Sequence, residues 1–165
     1  MDIGDKDCGG GPRMKRLKLY LDTCCYNRPF DDQTDGKIHL ESEAIISILR
    51  LYEQNQIDIF GSEIIDFEIS KIPDIIKRYK VFEISKLTKE KLIINNDVEE
   101  RSLFLEKIGF KAFDALHIAI AEINKIDIFI STDRKLYNLS KKEVKNMLIF
   151  IKNPLEFIKE YYYEE

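Results

Sequence analysis

The chain of 165 residues has no tryptophan, and its three cysteines, Cys8, Cys24 and Cys25, form no CxxC pair. Adjacent cysteines rarely bridge each other. A disulfide framework and a zinc site are therefore excluded as organising features, which reads as a reducing, cytoplasmic compartment. No apolar run approaches the roughly 18 residues needed to cross a bilayer, so no membrane partner is expected. The N-terminus lacks the apolar core of a signal peptide. An excess of positive charge is missing as well. The formal net charge of -4 excludes a strongly basic nucleic-acid coat. It does not exclude an enzyme acting on nucleic acid, because local patches rather than the total steer binding.

What the sequence does contain is ordinary for a charge-rich globular chain, 44% hydrophobic and 34% charged, with abundant isoleucine and lysine. Residues 1–13, with Gly9-Gly10-Gly11-Pro12, have no periodicity and read as a flexible leader ahead of a natural start at Met14. Residues 14–165 suit a single domain with one core.

Leu17 to Leu21 reads as a first strand that ends at Asp22. The polar stretch T-C-C-Y-N-R-P-F-D-D-Q-T-D-G-K follows as a long loop. Leu40 to Asn55 is an amphipathic helix with Ala44, Ile45, Ile48, Leu49 and Tyr52 on one face. Ile57 to Phe60 is a short strand, and Ser62 can cap the helix that follows it. Pro73 is expected to start a helix over Asp74–Lys80, with a brief strand over Val81–Ile84. Thr88 to Ile108 reads as helical, with an interruption at Asn95-Asn96, and Gly109 ends it. Asp114 then opens a strongly apolar helix. Ile126 to Ile130 is a strand that stops at Ser131-Thr132-Asp133. A short helix over Lys135–Leu139, a strand over Leu148–Ile151 and a helix from Pro154 to Tyr163 complete the chain. Strands alternating with helices predict an α/β class with a parallel sheet covered on both faces.

Three acids fall where this topology converges: Asp22 ends a strand, Asp114 opens a helix and Asp133 follows a later strand. In open α/β sheets the carboxyl edge of the strands is where ligands bind. One of Glu63, Asp66 and Glu68, after the second strand, can join them. Two unit charges about 4 Å apart repel by about 4 kcal/mol at an effective dielectric of 20. Several carboxylates in one pocket therefore call for a cation or for retained protons. Oxygen donors without thiolate or imidazole favour Mg²⁺ or Mn²⁺, ions that bind phosphate oxygens and suit phosphodiester hydrolysis. Each acid also has a plainer explanation. Asp114 suits a helix N-terminus through the macrodipole, and Asp133 can cap the next helix.

The motifs L-Y-L-D-T (Leu19–Thr23), S-E-I-I-D-F-E (Ser62–Glu68), F-D-A-L-H-I-A (Phe113–Ala119) and I-S-T-D (Ile130–Asp133) resemble those of the PIN-domain ribonucleases. The resemblance covers nearly everything from Leu17 onward and rests on the order and spacing of the motifs, each weak alone. It implies a PIN-like three-layer α/β/α sandwich over residues 14–165 and endonucleolytic cleavage of RNA with Mg²⁺ or Mn²⁺. The family's catalytic, metal-binding acids map onto Asp22, Glu68, Asp114 and Asp133. Thr23 and Thr132 are candidates to orient the neighbouring acids by hydrogen bonding. Many relatives are toxins of toxin–antitoxin pairs and are often dimeric, which implies an antitoxin protein and a second copy of the chain as partners. The long C-C-Y-N-R-P-F-D-D-Q segment and the greater length depart from the commonest small toxins.

Asn27 and Arg28 are further candidates to reach an RNA phosphate from the loop. Pairing of Arg28 with Asp31 or Asp32 is the favoured alternative. His117, flanked by Leu116 and Ile118, is read as a packed, hydrogen-bonded core histidine. Lys71, Lys77, Arg78 and Lys80 read as a solvated helix face, and Tyr161–Tyr163 as packing for the last helix. A non-catalytic RNA- or protein-binding module of the same fold is the competing function. A haloacid-dehalogenase-like phosphatase is set aside because it needs a second aspartate where Cys24 stands.

Overall fold

The computed structural model describes residues 15–163, and the leader expected over residues 1–13 lies outside the described residues. Five parallel strands, β1 (Leu17–Leu21), β2 (Ile57–Ser62), β3 (Lys91–Leu92), β4 (Ile128–Ile130) and β5 (Phe150–Lys152), form one sheet in the order β3-β2-β1-β4-β5. The register pairs Leu19 with Ile59 on one side and with Ile128 on the other. Strand β1 is thus central and covered on both faces, and Leu19, Tyr20 and Leu21 are fully buried. Burial on both faces makes β4 an unbroken apolar run, whereas Lys18 and Asp58 interrupt β1 and β2 near their starts.

The helices are α1 (Thr23–Asn27), α2 (Gly36–Glu53), α3 (Glu63–Ser70), α4 (Ile75–Ser85), α5 (Asn96–Lys107), α6 (Ala112–Ile123), α7 (Arg134–Lys142) and α8 (Pro154–Tyr163). From β1 the chain steps through β2 to β3 at one edge, crosses to β4 beside β1, and ends at β5 on the other edge. Right-handed crossovers then put α2 on one face and α5 and α6 on the other. Helix α8 packs against α2, and α5 against α6. The architecture is the expected three-layer α/β/α sandwich. Helix α6 buries Ala115 and every residue from His117 to Glu122. A helix apolar nearly all round has to be largely enclosed, and α6 is from Ala115 onward, with Ala112 and Phe113 at its start exposed.

Local chemistry fixes several boundaries. Asp35 caps α2, accepting from the Lys37 and Ile38 amides, so that helix starts a turn earlier than its apolar face indicated. Ser62 caps α3 as expected, its hydroxyl accepting from the Ile65 amide at 3.1 Å. Asp74, not Pro73, caps α4. The strand expected over Val81–Ile84 is the last part of α4, because only Val81 of these four is fully buried and the helical ladder continues to Ser85. The helix expected from Thr88 begins only at Asn96, capped by the Asn95 side chain, and Lys91–Leu92 pairs with Gly61–Ser62 as the edge strand. Gly61 permits that approach. A Cβ there would meet the Thr88 hydroxyl at 2.8 Å. Gly109 ends α5 with φ +123°, a conformation that suits glycine.

The polar segment after β1 is not an open loop. It holds α1 and a 3-10 turn over Arg28–Phe30, with Cys25 and Tyr26 buried. Asp22 initiates α1, and packing of those two side chains keeps the short helix in place.

Candidate metal centre

Strands β1 and β4 are neighbours, but the chain leaves them in opposite directions, β1 toward β2 and β4 toward β5. The carboxyl ends of such a pair form a crevice, the usual ligand position in open α/β sheets. Asp22 lies at this switch point. Its amide donates to the Ile130 carbonyl at 2.9 Å, extending the β1–β4 ladder by one bond. Its carboxylate accepts from the Thr23 amide (2.8 Å) and, through Oδ2, from the Ser131 hydroxyl (2.8 Å). The side chain is buried and held from both strands.

Of the three acids that compete on the second motif, Glu68 is the one that reaches Asp22. Glu63 accepts from the Ile94 amide at 2.6 Å, and Asp66 pairs with Lys91. Glu68 Oε1 accepts from the Thr23 hydroxyl at 2.5 Å and meets His117 Nε2 at 2.7 Å. Burial pushes the Glu68 carboxyl up, but the His117 hydrogen bond and charge and the Thr23 hydroxyl outweigh it and hold the group below its ordinary value. Thr23, proposed from sequence to orient a neighbouring acid, therefore acts on Glu68.

His117 is 1% exposed. Its Nδ1 lies 2.6 Å from the Tyr20 hydroxyl, which lies 2.7 Å from Ser62 Oγ. With the proton on Nε2, a single direction satisfies the set: Ser62 donates to Tyr20, Tyr20 to His117, and His117 to Glu68. Burial lowers the His117 pKa, but the Glu68 hydrogen bond and the charges of Asp22, Glu68 and Asp114 outweigh it and raise the pKa. One ligand atom each from Asp22, Glu68 and His117 lies within 4.8 Å of the others. Because both ring nitrogens of His117 are already engaged, we read it as the group that positions Glu68 and not as a ligand.

Asp114, in the first turn of α6, is half-buried. Burial and the charges of Asp22 and Asp133 push its carboxyl up to about 6, with Glu68 adding to them and His117 opposing. Asp22, Asp133 and Glu68 are thus near enough for their charges to act on Asp114, while the side chains whose ligand atoms gather within 4.8 Å are Asp22, Glu68 and His117. Asp133 caps α7, its Oδ1 accepting from the Lys135 and Leu136 amides at 2.9 and 3.1 Å, so the plainer explanation for this residue is also realised. The Asp133 amide donates to Ser131 Oγ at 3.0 Å. Ser131 thus ties Asp22 to Asp133.

Ser131 escaped the sequence reading, which chose its neighbour Thr132. The Thr132 hydroxyl is buried without a hydrogen-bond partner. Nothing in I-S-T-D distinguishes the two hydroxyls until the strand end fixes which one turns toward Asp22. Arg28 faces two carboxylates, Glu41 at 3.0 Å and Asp31 at 3.1 Å, the first contact being too misaligned for a hydrogen bond. This is the pairing with Asp31 that the sequence favoured over phosphate contact, while Asp32 bonds Thr34 instead. The Asn27 side-chain oxygen is buried and unpartnered. Within the basic run, Lys77 pairs with Asp31 and Arg78 donates to the Ile72 carbonyl.

A divalent cation fits this donor set on two grounds. The donors are carboxylate oxygens, as Mg²⁺ and Mn²⁺ prefer. A bound cation would oppose the neighbouring negative charge that, with burial, pushes the Asp114 carboxyl up. A cavity of about 300 Å³ opens beside Asp133 and is also lined by Lys37, Arg134 and Asn153. Asp133 lines it whereas Asp22, Glu68 and Asp114 do not, so the cavity meets the acids only at Asp133.

No helix among the described residues is long and apolar enough to cross a membrane. No family model and no curated protein matches the chain. Among solved structures, a chain of the crystal structure of VapBC2 from Rickettsia felis bound to a DNA fragment from their promoter is similar to this one. The TM-score is 0.55 at 15% sequence identity, over 82% of this chain and 98% of that chain. At that identity the likeness is one of fold, and the fold is PIN-like, in agreement with the order of the sequence motifs.

Proposed function

We propose that the chain is a metal-dependent endoribonuclease that hydrolyses RNA phosphodiester bonds, with Asp22, Glu68, Asp114 and Asp133 holding Mg²⁺ or Mn²⁺. The observation that carries the reading is the meeting of Asp22 and Glu68 at the β1–β4 switch point, with ligand atoms within 4.8 Å of each other, and with Asp114 and Asp133 near enough to share their electrostatics. When bound, the ion would stabilise charge on a phosphate oxygen and make a bound water more acidic. The chain's own residues prepare the site. Thr23 and Ser131 fix the Asp22 carboxylate. His117 and Thr23 keep Glu68 ionised and aimed at the cluster. Burial and neighbouring charge push the Asp114 carboxyl up to about 6, and a bound cation would favour its ionised form.

The likeness to a chain of a VapBC2 structure supports a toxin role with an antitoxin partner as the finer form of this proposal. A small gene beside this one, encoding a protein that binds the chain and blocks cleavage, is the expected companion. The test of the chemistry is cleavage of RNA oligonucleotides with Mg²⁺ or Mn²⁺. Activity is expected to vanish with EDTA and to fall about 100-fold or more in Asp22→Asn and Asp114→Asn, as when a preorganised electrostatic group is removed. Unchanged cleavage by both variants, or RNA binding that never leads to cleavage, would return the fold to the non-catalytic alternative.

A further inference from the structure

We propose that Phe67 and Phe113 form a stacking platform for a nucleobase of single-stranded RNA, one nucleotide away from the phosphate held at the carboxylates. The proposal rests on the nuclease reading of that site. Phe67 immediately precedes Glu68 on α3, and Phe113 immediately precedes Asp114 on α6. Successive helical residues point about 100° apart. While Glu68 turns into the cluster, Phe67 turns out beside it, and Phe113 stands in the same relation to Asp114. The two rings meet across the helices with centroids 5.7 Å apart and planes 16° apart.

Stacked aromatic rings are normally buried for their area. Here Phe67 is 48% exposed and Phe113 43% exposed. The pair is not needed to complete the core, which closes beneath it through Ile64, Ile65 and Ala115. The Lys71 ammonium lies over the Phe67 ring, 5.1 Å from its centre, and supplies a cation for a backbone phosphate, which leaves the base to stack from the Phe113 side. A planar apolar surface, a cation and an adjoining acid cluster are the parts by which proteins bind single strands without reading sequence. A protein partner is the less suited occupant. A stable protein interface covers about 800 Å² per side, whereas these two rings are bounded by Glu68, Asp114 and Lys71.

The experiment measures binding and cleavage separately. Binding of a labelled single-stranded RNA is followed by fluorescence anisotropy with Ca²⁺, and its cleavage with Mn²⁺. The double variant Phe67→Ala/Phe113→Ala is expected to bind roughly 10-fold more weakly and to raise KM more than it lowers kcat. Phe113→Tyr should retain binding, and thermal melts of each variant establish folding. An RNA with one abasic nucleotide beside the cleavage site should bind wild type and double variant alike. Equal binding of intact RNA by wild type and a folded double variant overturns the platform. So does an aromatic dependence that appears only in self-association measured by light scattering. Cleavage without dependence on the pair leaves the nuclease and removes the platform. Base-dependent binding through the pair without any cleavage does the reverse.

Discussion

At Asp114, burial and neighbouring negative charge act in the same direction, and both oppose ionisation. The sign of the stability effect follows from linkage. The folded chain holds this proton up to about pH 6, whereas the ordinary value is 3.8. Stability is therefore lost as pH climbs between those values, and the penalty is complete above them. Asp114→Asn removes the ionisable group while keeping its shape. The variant is expected to melt with wild type near pH 4 and above it at pH 7.5, by about 2–4 °C for each kcal/mol recovered in a chain of this size. Melting curves across that range without metal check it. A difference that does not grow with pH would show that Asp114 is not strained by its neighbours. The same carboxyl is then both the most strained group of the cluster and a group the proposed chemistry needs, as expected where stability is given up for function. His117 has the opposite character. Sequence correctly read it as buried and hydrogen-bonded, but could not show that one of those bonds ends on Glu68, because the partner lies 49 residues away.

The elements show where local pattern and long-range pairing diverge. Strands β1, β2 and β4 were legible because apolar residues dominate each short stretch between turn formers, without a break in β4 and around Lys18 and Asp58 in β1 and β2. Strand β3 was not, since two residues carry no periodicity and Lys91 is exposed. Its identity as a strand comes from pairing with Gly61 and Ser62. Val81–Ile84 illustrates the converse, a β-branched and aromatic run claimed by a helix that Asp74 had already started. Among the acids, Glu68 could be separated from Glu63 and Asp66 only by tertiary contacts, which send the other two to Ile94 and Lys91.

One long-range tie gives a test of how the α5–α6 layer is secured. Arg101 on α5 reaches the Glu122 carboxylate on α6 at 2.6 Å and donates to the Asn146 carbonyl. Glu122 also accepts from the Leu148 amide, at the approach to β5. The Glu122 side chain is fully buried and that of Arg101 mostly so. Breaking a buried pair from one side leaves an uncompensated charge and costs about 3–5 kcal/mol. Arg101→Met is expected to destabilise by that amount in urea melts, and Arg101→Met/Glu122→Leu by clearly less. Equal loss in the single and double variants would mean that packing, and not the orphaned carboxylate, sets the cost.

For the whole molecule, the charge balance links stability to metal. The chain is net negative, -4, yet Asp22, Asp133 and Glu68 lie close enough for their charges to act on Asp114, while Arg28 and Lys77 are committed to Glu41 and Asp31. Among the described residues, His117 is the ring nitrogen donor that the cluster's own hydrogen bonds engage, and it acts on Glu68. A fold that tolerates this repulsion without an ion should gain stability when one binds. A ligand that binds only the folded state at about 100 times its dissociation constant adds about 2.7 kcal/mol. For a chain of this length that is a rise of roughly 5–10 °C in Tm. Mg²⁺ or Mn²⁺ is therefore expected to raise Tm in proportion to the logarithm of its concentration, with EDTA reversing the effect and sodium at equal ionic strength failing to reproduce it. Asp22→Asn should flatten the response by removing a ligand, and Asp114→Asn should flatten it while starting from a higher Tm without metal. This pairing separates a cation site from general charge screening, because screening would raise all three proteins alike. A wild type whose Tm ignores both ions up to tens of millimolar would sink the metal centre, whatever RNA the chain binds.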